Sequence, residues 1–186
     1  RKITSIVKTF KVPFLLDDIK DNISISTKDS AKPSNEELLN KAFKLHTQGK
    51  ILEAEQYYQY FIKQGIEDHR IFSNYGVILK ARGELKEAEL QTSNALKIRT
   101  ESEIYNYNLG NILKDLGKFK EAEISIKNAI ELKPDFANAH YNLGNILSAL
   151  GKNKEATSHW AKAVELKPED DKLVISLVHN LCYERK

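Results

Sequence analysis

Four asparagines recur at a constant spacing of 34 residues through this chain. Asparagine is a mediocre helix former because its side chain competes for backbone hydrogen bonds, so its regular return within helical sequence indicates a task other than folding. Its amide carries N–H donors and a carbonyl acceptor, which lets one side chain bond both the N–H and the C=O of a passing peptide backbone. We therefore predict that a polypeptide main chain is recognised at Asn40, Asn74, Asn108 and Asn142.

Other polar side chains accompany these asparagines at helical spacing. Asn111 and Asn145 stand one turn beyond the third and fourth recurring asparagines, where the first two segments carry Phe43 and Val77. This difference makes the N-terminal end of the predicted binding surface more apolar. The remaining candidates for ligand contact are Tyr107, Tyr141, Lys80 and Lys114.

The spacing also indicates the shape of the ligand. Packed helices lie about 9 to 10 Å apart, and an extended peptide rises about 3.3 Å per residue, so successive asparagines would meet roughly every third ligand residue. An extended polypeptide is therefore predicted. The alternative is that the amides bond neighbouring helices and only stabilise the stacking. If they bind ligand, the Asn108 and Asn142 double alanine variant should bind more weakly and melt almost unchanged.

No pattern in the sequence indicates catalysis, a cofactor or a metal site. The five histidines lack the i, i+4 spacing and the carboxylate companions of a metal site, and no glycine-rich phosphate loop is present. Cys182 is the only cysteine, which excludes an intrachain disulfide and fits a reducing compartment. We therefore expect a protein that is not an enzyme and is cytoplasmic.

Composition narrows the range of partners. The 186 residues are 41% hydrophobic and 30% charged, yet no apolar run approaches the ~18 residues of a membrane span. The formal net charge is +3, too small an excess to predict nucleic acid or a membrane surface as a partner. The chain begins at Arg1 and contains no methionine, which indicates a piece of a longer product.

The asparagines belong to a longer repeat. Leu-Lys-Pro recurs at 132–134 and 166–168, Lys-Glu-Ala recurs three times, and glycine returns at every 34th residue from Gly49 to Gly151. Four units tile the chain without insertion, at 35–68, 69–102, 103–136 and 137–170. Each unit predicts two helices, the first ending at the repeated glycine. The predicted helices span 35–48, 52–65, 69–82, 86–99, 103–116, 120–132, 137–150, 154–166 and 171–183.

Small residues recur where two helices must approach closely. The first helices carry Ala42, Gly76, Gly110 and Gly144, and the second helices carry Ala54, Ala88, Ala122 and Ala156. Contact residues must be small at an axis separation of about 8 to 10 Å. One helical pair cannot bury its apolar face alone, so neighbouring pairs should stack and build a continuous core.

These residues resemble the tetratricopeptide repeat family, whose 34-residue unit is a pair of antiparallel helices. The resemblance covers residues 35–170 and implies an all-α, right-handed superhelical solenoid of four helix pairs plus a C-terminal helix. It also implies a concave face, lined by the first helices, that binds polypeptide. The asparagine ladder is similar to that in the repeats of O-linked N-acetylglucosamine transferase. Bacterial proteins that resemble this chain often carry a transferase domain, and we expect a bacterial protein.

Two other functions stay open. The chain could be the substrate-recruiting segment of a larger transferase, or a structural module that self-associates through residues 1–34 or through the C-terminal helix. The carboxylate clamp of chaperone adaptors is disfavoured, because the place where it needs lysine carries Leu39, Ser73, Tyr107 and Tyr141.

Both ends of the chain lie outside the four repeats. Residues 1–34 contain seven basic and four acidic residues and many apolar ones. They could occupy the concave face, in the same or a neighbouring molecule, or pack over the first unit as a cap. Residues 171–186 predict either a capping helix or the start of a further repeat.

Overall fold

The computed structural model describes residues 33–183. Within this range the chain forms nine α-helices and no strand, and the predicted helix limits are confirmed to within two residues. The helices are α1 (Asn35–Thr47), α2 (Ile51–Lys63), α3 (His69–Ala81), α4 (Leu85–Ile98), α5 (Glu103–Asp115), α6 (Phe119–Leu132), α7 (Ala137–Ala149), α8 (Asn153–Leu166) and α9 (Asp171–Tyr183).

The helices are arranged as a stack of hairpins. The closest packing joins α3 to α4, α5 to α6 and α7 to α8, and each second helix also packs against the first helix of the next pair. First helices of consecutive pairs also meet, α3 with α5 and α5 with α7. They therefore form one layer and the second helices the other, so the predicted all-α solenoid is confirmed. The last helix, α9, packs on α8.

A glycine in the left-handed conformation ends the first helix of each of the four pairs. Gly117 has φ 76° and follows the last turn of α5, and Lys118 N–H then donates to the Leu113 carbonyl at 2.9 Å. This bond satisfies one of the carbonyls that a helix end leaves without a partner, and a side chain at that φ would be strained. The same bond recurs after α1, α3 and α7, so each hairpin turns in the same way.

The predicted close approach of paired helices is confirmed. A Cβ on Gly144 would lie 2.5 to 2.9 Å from three atoms of the Trp160 indole, and one on Gly110 would lie 2.6 Å from Ile126. Gly76 likewise faces Thr92, whose buried hydroxyl oxygen has no hydrogen-bond partner. In each of these three pairs, a side chain of the second helix occupies the space beside the glycine of the first helix.

Three clusters of buried apolar residues follow one another along the stack. Tyr58, Phe61 and Ile71 are fully buried at the N-terminal end, and Leu143 and Trp160 belong to the cluster that fills the C-terminal end. In the part of the chain that the structure describes, no helix is long and apolar enough to cross a membrane. The hypotheses for the N-terminal segment 1–34 concern residues that, up to residue 32, lie outside the described range.

The contact between Gly144 and Trp160 gives a prediction of stability. Gly144→Ala should lower the free energy of unfolding by about 1 to 3 kcal/mol, because the rigid indole must move to admit the methyl group. Urea unfolding followed by circular dichroism measures this change. Asn138→Ala, at an exposed position of the same helix, is the control and should stay within about 0.5 kcal/mol of the parent. A Gly144→Ala variant as stable as the parent would contradict the packing argument.

Candidate peptide-binding groove

The recurring asparagines lie on the first helices of the four pairs. Asn40 is exposed on α1, and Asn74, Asn108 and Asn142 are half-buried on α3, α5 and α7. Because these last three helices follow one another in one layer, their asparagines occupy equivalent places on adjacent helices. We use the term groove for the surface formed by these asparagines, Asn111, Asn145, Tyr107, Tyr141, Lys80 and Lys114.

Asn142 is committed to neighbours on the preceding first helix. Its Nδ2 donates to the hydroxyl of Tyr107 at 3.1 Å and to Oδ1 of Asn111 at 2.6 Å. Both N–H groups of the amide are therefore used, while its carbonyl oxygen is not. The sequence analysis predicted Tyr107, Asn111 and Asn142 as residues of one surface. It did not predict the hydrogen bonds between them, because these depend on how α5 and α7 lie relative to each other.

Asn74 is held differently, by a second helix. Its Nδ2 donates to the Tyr58 hydroxyl at 3.3 Å, and that hydroxyl in turn lies 3.1 Å from Nδ1 of His46. Burial raises the pKa of Tyr58 to about 12, so the phenol keeps its proton and can donate it to His46. Burial also lowers the pKa of His46 below 6.5, which favours the neutral ring that accepts this bond.

Asn108 makes no hydrogen bond with the part of the chain that the structure describes. Its amide keeps its donors and its acceptor, unlike those of Asn74 and Asn142. These three residues, equivalent in sequence, therefore differ in how much of the amide is available to a ligand.

A tryptophan orients the amide of Asn145. Nε1 of Trp160 donates to Oδ1 of Asn145 at 3.1 Å. An indole nitrogen can only donate, so this bond fixes the oxygen of the amide toward Trp160 and turns the NH₂ group away. Trp160 is only 4% exposed. Its hydrogen bond to Asn145 was not predicted from the sequence. Trp160 stands where the other units carry Tyr58, Thr92 and Ile126.

Charge is concentrated near the C-terminal ends of α3 and α5. Nζ of Lys80 lies 2.9 Å from the carboxylate of Asp115, and Nζ of Lys114 lies 3.8 Å from the same carboxylate. Two ammonium groups therefore share one carboxylate, which leaves a surplus of one positive charge at this place.

The N-terminal end of the groove has a different character. The guanidinium of Arg70 lies 5.1 Å from the centre of the Phe43 ring and pairs with Asp68 at 2.7 Å. Partial burial opposes ionisation of Asp68, but the hydrogen bonds from Arg70 outweigh it and lower the pKa of that carboxyl. Phe43 and Val77 make this end more apolar, as the sequence indicates. Arg70 was not among the predicted residues.

The described residues contain no group of three or more side chains that could hold a metal ion. They do contain a histidine pair between α7 and α8 that the sequence analysis missed, because its members are 19 residues apart. Nδ1 of His140 lies 3.0 Å from Nδ1 of His159, and Nε2 of His140 donates to the Pro134 carbonyl at 3.0 Å. The neutral pair is therefore arranged with His159 donating to His140.

Two family models match the chain between residues 110 and 170. A model described as "TPR repeat" matches residues 110–151, and one described as "Tetratricopeptide repeat" matches residues 137–170. No curated protein sequence matches the chain.

Solved structures share the fold at low sequence identity. "MamA 41-end from Desulfovibrio magneticus RS-1" is 22% identical with a TM-score of 0.74, and the match covers 83% of this chain and 88% of that one. "YrrB: a TPR protein with an unusual peptide-binding site" is 21% identical with a TM-score of 0.70, covering 89% and 83%. "First TPR of Spaghetti (RPAP3) bound to HSP90 peptide SRMEEVD" is 19% identical with a TM-score of 0.61, covering 63% and 94%.

The histidine pair predicts a pH dependence of stability. Burial lowers the pKa of His159 below 6.5, and the charges of His140 and Lys127 act in the same direction. The carboxylate of Glu155 raises this pKa but does not outweigh them. The unfolded chain then binds more protons at acidic pH, so stability is greatest above about pH 6.5 and falls as the pH drops through the folded pKa. Thermal melts between pH 5 and 8 measure this decline.

In the His159→Gln variant the decline should be smaller, because the amide can still donate to His140 but does not titrate. Some slope remains, since the pKa of His46 is also lowered. Ser158→Ala, at an exposed position of the same helix, is the control. Parallel pH profiles for the parent and His159→Gln would show that the pair does not contribute.

Proposed function

We propose that this chain, a tetratricopeptide repeat protein, is a protein-interaction module that binds an extended polypeptide along the groove. In this proposal the asparagine ladder bonds the main chain of the ligand, and the side chains around it select the sequence. The function is recognition, and no catalytic residue or cofactor is part of it.

The observation that carries the proposal is the amide of Asn108. A half-buried asparagine within a helix costs helix propensity, and this one makes no bond within the described chain that would offset the cost. Its neighbours in the layer, Asn74 and Asn142, occupy the equivalent places on the adjacent helices. A ligand main chain supplies the donor and the acceptor that the Asn108 amide lacks.

Two solved structures with this fold support the proposal. One is of a protein with an unusual peptide-binding site, and the other is bound to an HSP90 peptide. Those ligands belong to those proteins, but they make a peptide a reasonable occupant for a stack of this shape. A substrate-recruiting segment of a larger transferase would use the same groove, so the proposal covers both functions at the level of binding.

A comparison of two alanine variants tests the ladder. Unstructured peptides selected from a random 12-residue library against the parent protein serve as probes, and their Kd is measured by fluorescence anisotropy. Asn108→Ala should weaken binding about tenfold through the loss of one or two hydrogen bonds, with stability within about 0.5 kcal/mol of the parent. The control is Asn128→Ala, at an exposed position of α6, which should change neither.

Asn142→Ala should behave differently from Asn108→Ala. It removes the partner of Tyr107 and Asn111 and should cost about 1 to 2 kcal/mol of stability in addition to its effect on binding. The double alanine variant therefore mixes two effects, contrary to the expectation of unchanged melting. Selected peptides that bind Asn108→Ala as tightly as the parent would exclude the ladder as their site.

Self-association through the C-terminal helix is a second candidate, and one observation favours it. Ile175 and Val178, one turn apart on α9, are 67% and 54% exposed and form a small apolar surface on this helix. If this face joins two copies, light scattering should give a molar mass that rises with concentration, and Val178→Glu should keep the chain monomeric. A constant monomer mass in the parent would exclude this candidate.

A further inference from the structure

The hydrogen bonds around the groove determine which atoms it offers to a ligand. Asn145 is the clearest case, because Trp160 can only donate and therefore holds the amide oxygen. The Nδ2 of Asn145 makes no hydrogen bond within the described part of the chain. The amide of Asn145 therefore cannot turn over, and the group it offers to a ligand is its NH₂. A ligand atom at this place must be a hydrogen-bond acceptor.

Asn111 is oriented in the same sense by a different partner. Its Oδ1 accepts from Asn142 at 2.6 Å, so its Nδ2 is the group left for a ligand. The hydroxyl of Tyr107 accepts from the same Asn142 amide at 3.1 Å and keeps its own proton to donate. Among these three side chains and Asn145, the carbonyl oxygen of Asn142 is the one oxygen that accepts no hydrogen bond from the described residues. The C-terminal half of the groove therefore offers mainly donors.

The positive charge of Lys114 also favours a hydrogen-bond acceptor at this end of the groove. Lys114 follows Asn111 by one turn of α5 and shares Asp115 with Lys80. Asp115 is satisfied by the closer of the two, Lys80 at 2.9 Å, whereas Lys114 at 3.8 Å is weakly held. An ammonium group beside several N–H donors favours a negatively charged acceptor over a neutral one.

We propose that the half of the groove formed by Tyr107, Asn111, Lys114 and Asn145 takes an acidic stretch of the polypeptide ligand. Carboxylates of aspartate or glutamate accept from the amides and the phenol, and Lys114 balances their charge. Trp160 is a positioning residue, because it holds Asn145 in the orientation that donates. This inference rests on the proposed function and adds the chemical class of the ligand.

Three peptides of one length and different charge test the inference. Labelled twelve-residue peptides of alternating Glu-Ser, Gln-Ser and Lys-Ser are titrated with the full chain at low ionic strength, and anisotropy is recorded. We expect the Glu-Ser peptide to bind about tenfold more tightly than the Gln-Ser peptide, since charge-assisted hydrogen bonds are roughly twice as strong as neutral ones. The Lys-Ser peptide should bind most weakly.

Asn145→Asp is the decisive variant. Aspartate keeps an oxygen for Trp160 and nearly the same shape, but it replaces the outward donor by a second acceptor. It should weaken binding of the Glu-Ser peptide at least tenfold and leave the Gln-Ser peptide less affected. Asn128→Asp carries the same change of charge at an exposed position of α6 and should change the affinity little. Lys114→Gln should reduce the preference for Glu-Ser over Gln-Ser, and it serves if Asn145→Asp does not fold.

The outcomes separate the inference from the proposed function. If Glu-Ser and Gln-Ser bind equally and Asn108→Ala weakens both, the groove binds peptides but the acidic preference is wrong. If Glu-Ser binds tightly but neither Asn145→Asp nor Lys114→Gln changes its Kd, the acidic site lies elsewhere. If none of the three peptides binds, the inference is overturned, and the library-selected peptides alone decide the proposed function.

Discussion

The close approach of the two helices in each hairpin is the constraint on which the rest of the structure depends. Gly76, Gly110 and Gly144 let the second helix approach so closely that a single methyl group would collide with it. Each α-helical residue turns about 100° around the axis, so the asparagine two residues before each glycine stands on nearly the opposite face. Packing at Gly110 therefore directs Asn108 away from α6. The groove is thus a geometric consequence of where the small residues stand.

Much of the fold could be predicted from sequence because its signals are local and repeated. Glycine at the hairpin turns, small residues at the crossings and apolar residues at helical spacing each identify the same helix limits. The face that carries the asparagines can be predicted from these signals together. The hydrogen-bond partner of each amide cannot be predicted in this way, because it depends on which side chain a neighbouring helix presents. Asn145 meets an indole N–H, whereas the equivalent place opposite Asn111 is Ile126, which cannot donate. Asn111 bonds to Asn142 instead.

Internal bonding and ligand binding compete for the same atoms. An amide that stabilises the stack, as Asn142 does through Tyr107, has fewer groups to offer a ligand. An amide without a hydrogen bond to the described residues, such as that of Asn108, contributes little to the stack. In a solenoid each unit contacts only its neighbours, so stability is distributed along the chain rather than held in one centre. The second unit also buries Thr92 Oγ1 and Gln91 Oε1 without partners, each of which lowers stability locally.

The bond between Trp160 and Asn145 has an optical consequence. The chain contains one tryptophan, so its tryptophan emission arises from a single indole with one defined environment. That indole is nearly buried, yet its N–H is bonded to an amide on the groove. Indole emission responds to the polarity and hydrogen bonding around the ring, and the Asn145 dipole changes when its other end is occupied. The native protein therefore carries its own unlabelled fluorophore, placed one side chain away from the groove.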